Sequence, residues 1–165
     1  MNLVANVAQA MIAYFEGDLR RINHFLKVYG FAKTIGELER LGQGEQQILE
    51  IAALTHDIGI KVSERKYSSA SGEHQQQEGP AEARALLNAL NVPEPVVGRV
   101  CWLIARHHTY RDIVGMDYQC LVEADFLVNM YEDDLPAASI ERIRKEIFKT
   151  PSGISLLKSL YPTLG

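Results

Sequence analysis

The dipeptide His56-Asp57, with His24 upstream and Asp125 downstream, constrains this chain more than any other feature. Each of the four falls where a helical apolar stripe requires a core side chain. His24 shares its register with Val28, Phe31 and Ile35, and His56 with Ile48, Ile51 and Ala52. Asp125 stands in a row with Tyr118, Leu121, Val122 and Val128, and His108 extends the row Val97, Cys101, Ile104. Side chains three and four residues apart share a helix face, so all of these polar groups point inward. An ionised carboxylate on a buried face is costly unless an opposite charge compensates it. A cation held jointly by imidazoles and carboxylates would compensate, and the pattern reads as a metal site inside a helical bundle.

The rest of the sequence fits an all-α, single-domain bundle spanning residues 1–165. No strand-like alternation persists, whereas helical periodicity predicts helices near 2–16, 19–38, 44–58, 80–91, 94–107, 117–133, 138–149 and 151–161. Pro80, Pro95 and Pro151 each suit a first helical turn, and Thr150 suits the N-cap before Pro151. Residues 61–79 (KVSERKYSSASGEHQQQEG) hold one aliphatic residue, Val62, and read as a long polar connection after the His-Asp pair. A shorter loop is expected at 108–116. The acidic run Glu132-Asp133-Asp134 reads as a solvated turn before Pro136.

Charge and hydropathy exclude other classes. A net charge of -4 argues against long nucleic acid as a partner. The first charged residue is Glu16, but the start (MNLVANVAQAMIAYF) lacks a basic n-region and is broken by Asn2, Asn6 and Gln9. It is too short to span a membrane and reads as an amphipathic first helix. Cys101 and Cys120 form no CxxC pair and are expected to be reduced core thiols of a cytoplasmic protein. The apolar first and last helices could bury a homodimer contact.

The order His, His-Asp, Asp resembles the HD-domain superfamily of metal-dependent phosphohydrolases. The matching stretches are INHFLKVYGFA (22–32), ILEIAALTHDIGIK (48–61), IARHHTY (104–110) and LVEADFLVN (121–129). The resemblance implies an all-α bundle with a metal at His24, His56, Asp57 and Asp125. His107 and His108 look like the paired histidines of two-metal, HD-GYP-type members, with Asp57 shared and His74 as the third candidate. In those members a histidine stands four residues before a helix-opening glycine. Here Gln75 holds that place before Gly79, and His74 stands one residue earlier. The GYP sequence is absent, so cyclic-dinucleotide specificity does not carry over.

The expected reaction is hydrolysis of a small phosphate ester, with a nucleotide as the expected substrate, by water activated on a divalent transition metal. Mixed nitrogen and oxygen ligands suit Mn, Fe, Co, Ni or Zn better than Mg. Asp57 is the natural bridging ligand, and His107 is a candidate general acid or substrate ligand. Phosphate needs cations, and Lys61, within one helical turn of Asp57, leads that group. Arg65, Lys66, Arg106 and Arg111 are further candidates, with Tyr110 placed to stack on a base or sugar. Two alternatives are a two-metal phosphodiesterase or pyrophosphohydrolase and a non-catalytic metal- or nucleotide-binding regulatory domain.

Overall fold

The computed structural model describes residues 2–164, and among these there are nine helices and no strand. They are α1 (Leu3–Tyr14), α2 (Leu19–Leu38), α3 (Gln43–Thr55), α4 (Ile60–Tyr67), α5 (Gly72–Ala89), α6 (Glu94–Ile104), α7 (Met116–Glu132), α8 (Ala137–Glu146) and α9 (Pro151–Leu160). Polar side chains cap α2, α5 and α9, whereas α3, α6 and α7 start without a side-chain cap. The Asp18 side chain accepts from the Arg21 N–H to open α2, and Ser71 does the same for His74 at the start of α5. Thr150 caps α9 through the Gly153 N–H, with Pro151 in its first turn, as the sequence predicts.

α3 runs through the middle and packs on α1, α2, α6 and α7, while α2 and α7 also pack on each other. The last two turns of α3 carry Leu49, Ile51, Ala52, Ala53 and Leu54 with no exposed surface. A helix apolar all round belongs in the core. α7 is nearly as enclosed, with Tyr118, Leu121, Val122, Leu127 and Val128 buried on several faces. The ends of α2, α3 and α7 therefore meet in one place. A buried carboxylate closes the far side: Glu123 on α7 accepts from the backbone N–H groups of Lys149 and Thr150 and from the Thr150 hydroxyl. No described helix is long and apolar enough to cross a membrane. Cys101 and Cys120 are both free and buried.

Residues 61–79 are not the long loop the composition predicts. They form α4 and the first turns of α5, and Pro80 lies inside α5 rather than at its start. Apart from the buried Ile60, Val62 and Ser63 of α4, the closest packing here is backbone against backbone, which leaves little apolar periodicity. A Cβ on Gly59 would stand 2.8 Å from the Gly79 nitrogen and 2.9 Å from the Gln75 carbonyl oxygen. A Cβ on Gly79 would stand 2.6 Å from the Ile104 side chain. Two glycines thus let α5 lie directly on the turn that carries His56 and Asp57. Neither close neighbour of Gly59 is a flexible side chain, so Gly59→Ala is expected to lower stability by about 2 kcal/mol, in the range of overpacked cores, as read by urea unfolding.

Candidate metal centre

Three imidazoles reach the junction of these helices, and each is oriented by a hydrogen bond from its outer nitrogen. His56 follows the last turn of α3, and its Nδ1–H donates to the Ala53 carbonyl at 2.7 Å. His107 follows α6 in the same manner, its Nδ1–H donating to the Ile104 carbonyl at 2.7 Å. His24, on α2, donates through Nδ1–H to Glu132 of α7 at 2.9 Å, and Lys27 holds the other Glu132 oxygen at 2.6 Å. Carbonyls and carboxylates only accept, so these contacts fix the tautomers. In their neutral form all three rings then turn an Nε2 lone pair inward.

The inward atoms are crowded. The Nε2 atoms of His24 and His56 are 3.3 Å apart. Asp57 Oδ2 lies 3.2 Å from the first and 3.4 Å from the second. Asp125 Oδ1 lies 3.3 Å and 3.4 Å from the same two nitrogens. The other Asp57 oxygen is 3.5 Å from His107 Nε2. Donors bound about 2.0–2.2 Å from one ion stand about 3.0–3.5 Å apart when adjacent. Asp125 Oδ1 and His107 Nε2 are buried with no hydrogen-bond partner. Buried acceptors without donors, at ligand spacing, fit a cation. A divalent metal suits this donor set of imidazole nitrogen and carboxylate oxygen.

Without an ion, protons must separate these acceptors. Burial works to lower the His24 pKa, but the Asp125 and Asp57 carboxylates outweigh it and raise it to about 11. His56 is also raised, against its burial, by Asp57 and Asp125. Burial works to raise Asp57, yet His56, His107 and His24 hold it well below the usual carboxylate range. Asp125 is depressed in the same way, by His56 and His24.

The second histidine of the pair behaves differently. His108 Nε2–H donates to Gln75 Oε1 at 2.9 Å, and the Gln75 amide is fixed by donating to the Ala70 carbonyl at 2.7 Å. Its Nδ1 faces the Tyr110 hydroxyl at 3.3 Å. Burial, then the neighbouring His107, lowers its pKa to about 4, so the ring is neutral. Asp57, His107 and His108 still form a second group able to hold a metal, once His108 releases one of these partners. His74 does not join it. Its ring stacks on Tyr67 at 4.0 Å, because α5 turns Gln75, not His74, toward His108.

The cations expected on phosphate lie elsewhere. Lys61 Nζ donates to the Tyr14 carbonyl at 2.9 Å and sits over the Tyr14 ring, turned toward the end of α1. Lys66 pairs with Glu78 at 2.8 Å, and Arg65 is exposed on the same helix. Arg106 stacks on Trp102 at 4.2 Å, beside a separate hollow that includes Arg111. Helical winding of α4 carries Lys61, Arg65 and Lys66 away, and the Trp102 ring holds Arg106. Tyr110 packs on Phe126 next to His108. The open cavity of about 370 Å³ that exposes His24 and Asp57 is lined instead by Asp18, Arg20, Arg21, Asn129 and Glu132, among others. Sequence spacing carried two unused signals for these residues. Glu132 lies two helical turns beyond Asp125, and Arg20 lies one turn before His24.

The HD domain family matches residues 21–143, three-quarters of the chain and all six polar residues of the centre. The chain belongs to the HD domain family. HD domains form a family of metal-dependent hydrolases that bind divalent metals. A crystal structure of a predicted HD superfamily hydrolase from an uncultured Thermotogales bacterium has the same fold. The two align with a TM-score of 0.67 at 22% identity, over 94% of this chain and 83% of that one. No curated protein matches the chain.

Two outcomes follow for this HD centre. A histidine raised on folding stabilises fully below its unfolded pKa of about 6.5, and the gain is lost as pH rises toward about 11. Depressed aspartates stabilise above about pH 3.9 and lose the gain as pH falls. Metal-free protein should therefore be most stable between about pH 4 and 6.5 and weaken above that. Added Mn should restore it at pH 8, with protons released on uptake, as read by thermal unfolding and by calorimetry in two buffers. Glu132→Gln leaves His24 without its carboxylate acceptor and should weaken metal affinity by about 10–100-fold in a calorimetric titration.

Proposed function

We propose that this HD domain is a metal-dependent phosphohydrolase acting on a small phosphorylated molecule, with a nucleotide as the expected substrate. One observation carries the reading: two buried Nε2 lone pairs 3.3 Å apart, flanked by carboxylates, open through His24 and Asp57 onto a cavity of about 370 Å³. That volume lies at the small end for ligand sites and suits a single small molecule.

A divalent ion at such a centre supplies Lewis acidity and brings the pKa of water toward neutrality. His24, His56, Asp57 and Asp125 would hold it. The chain's own groups do the rest. The hydrogen bonds from Nδ1 keep His24 and His56 from rotating, so their lone pairs stay aimed. Asp57 has one oxygen toward His24 and His56 and the other toward His107, and so links the metal ligands to a proton acceptor. His107 Nε2 is buried, unpartnered and beside that oxygen. In this mechanism it accepts the proton of the attacking water, and the leaving oxygen, in the open cavity, takes a proton from solvent.

A two-metal phosphodiesterase or pyrophosphohydrolase is favoured by the Asp57, His107 and His108 group. The Gln75 hydrogen bond to His108 weighs against it, so we expect one ion per chain. Purified protein with Mn or Ni should release phosphate from a chromogenic ester or a nucleotide. Asp57→Ala should reduce turnover about a thousandfold or more and abolish tight metal uptake. Two ions per chain by elemental analysis would favour the second reading. A thermal shift with nucleotide but no turnover under any metal would instead favour the regulatory module.

A further inference from the structure

One cavity opens on both His24 and Asp57, and a phosphoryl group meeting that centre has room there. Two cationic side chains line it, Arg20 and Arg21. Arg21 is already committed. It donates to Asp18 at 2.9 Å and pairs with Glu64 of α4. Arg20 is exposed, lies one helical turn before His24 on α2, and pairs with no carboxylate among the described residues. The i, i+4 spacing sets its guanidinium on the same face as the His24 ring. The remainder of the wall holds Asn129 and three acids: Asp18, paired with Arg21, Glu132, paired with Lys27 and His24, and Asp133, which has no ion-pair partner among the described residues.

We infer that Arg20 is the phosphate-binding and specificity residue, and that the cavity takes a phosphomonoester of a hydroxyl-bearing molecule. This rests on the hydrolase reading above. A guanidinium presents a planar fork to two phosphate oxygens, and Arg20 is the one uncommitted fork at the cavity. One arginine and one cationic centre match one phosphoryl group. A second or third phosphate would find no further free cation among the described residues of this wall and would meet the unpaired carboxylate of Asp133, a like charge. Hydroxyls fare better there, because carboxylates and the Asn129 amide oxygen accept their protons. The leaving group is therefore a sugar or nucleoside, and diphosphates and triphosphates are disfavoured.

The test compares wild type with Arg20→Ala and Arg20→Lys, both loaded with Mn. Binding of inorganic phosphate is read by calorimetry, and KM and kcat on nucleoside monophosphate, diphosphate and triphosphate. Arg20→Ala should weaken phosphate binding and raise KM by about 10–100-fold, as for a lost charged hydrogen bond, with kcat changing far less. Lysine should restore part of the loss. Metal stoichiometry and melting temperature should stay at wild-type values, since Arg20 is exposed. In wild type, kcat/KM should fall with each added phosphate. Unchanged phosphate affinity in Arg20→Ala, or a preference for the triphosphate, would overturn the inference. If wild type hydrolyses no ester at all, the hydrolase reading fails by itself, and the calorimetric comparison still decides the role of Arg20.

Discussion

Two imidazole nitrogens face each other 3.3 Å apart, where only a proton or a cation can reconcile them, and the bundle is arranged around that fact. Once Nδ1 of His24 and of His56 is committed as a donor, the Nε2 atoms of the neutral rings carry only lone pairs. Asp57 and Asp125 add negative charge to the same small volume. Such a cluster repels itself in a low-dielectric interior unless positive charge enters it. Protons can serve, and the raised histidines and depressed aspartates show how strongly the site draws them. A divalent ion serves better, because it satisfies several lone pairs at once. The contact between α2, α3 and α7 thus depends on what occupies their junction, which would tie the uptake of a metal to folding.

Helix ends supply the orientation. His56 and His107 each sit just past a helix and return their Nδ1–H to a carbonyl three residues back, a group the helix itself leaves unpaired. Satisfying that carbonyl and aiming Nε2 inward are one act. The C-terminal ends of α3 and α6 also carry partial negative charge, which favours a cation nearby. His24 lies within α2, where no such carbonyl is free. Its orienting acceptor comes from another helix, Glu132 on α7, steadied by Lys27. Of the three inward imidazoles, His24 is the one whose aim depends on the packing of two helices.

The sequence made the centre legible because type and register agree at His24, His56, Asp57 and Asp125. Four polar residues on apolar stripes of three helices leave few other readings. The long cations were not legible. Spacing puts Lys61 near Asp57, but its flexible chain finds the Tyr14 carbonyl instead. α4 and the start of α5 were hidden for another reason. Their closest packing is glycine backbone on glycine backbone, which leaves little hydrophobic periodicity to read. The one-residue offset at His74 was informative, since Gln75 is the residue that meets His108.

That contact gives the centre two unequal sides. On the side of His24, the cavity is open, polar and lined by an uncommitted arginine. On the side of His108, the donor needed for a second ion is held by a glutamine whose own amide is anchored to Ala70. Freeing His108 costs that hydrogen bond and leaves a buried amide oxygen unpaired. Asp57 lies between the two sides, with one oxygen on each. Its second oxygen is therefore available to His107, a proton acceptor, rather than to a second cation. A centre built this way fits the proposed reading of one ion with a neighbouring base, and its open cavity lies on the His24 side.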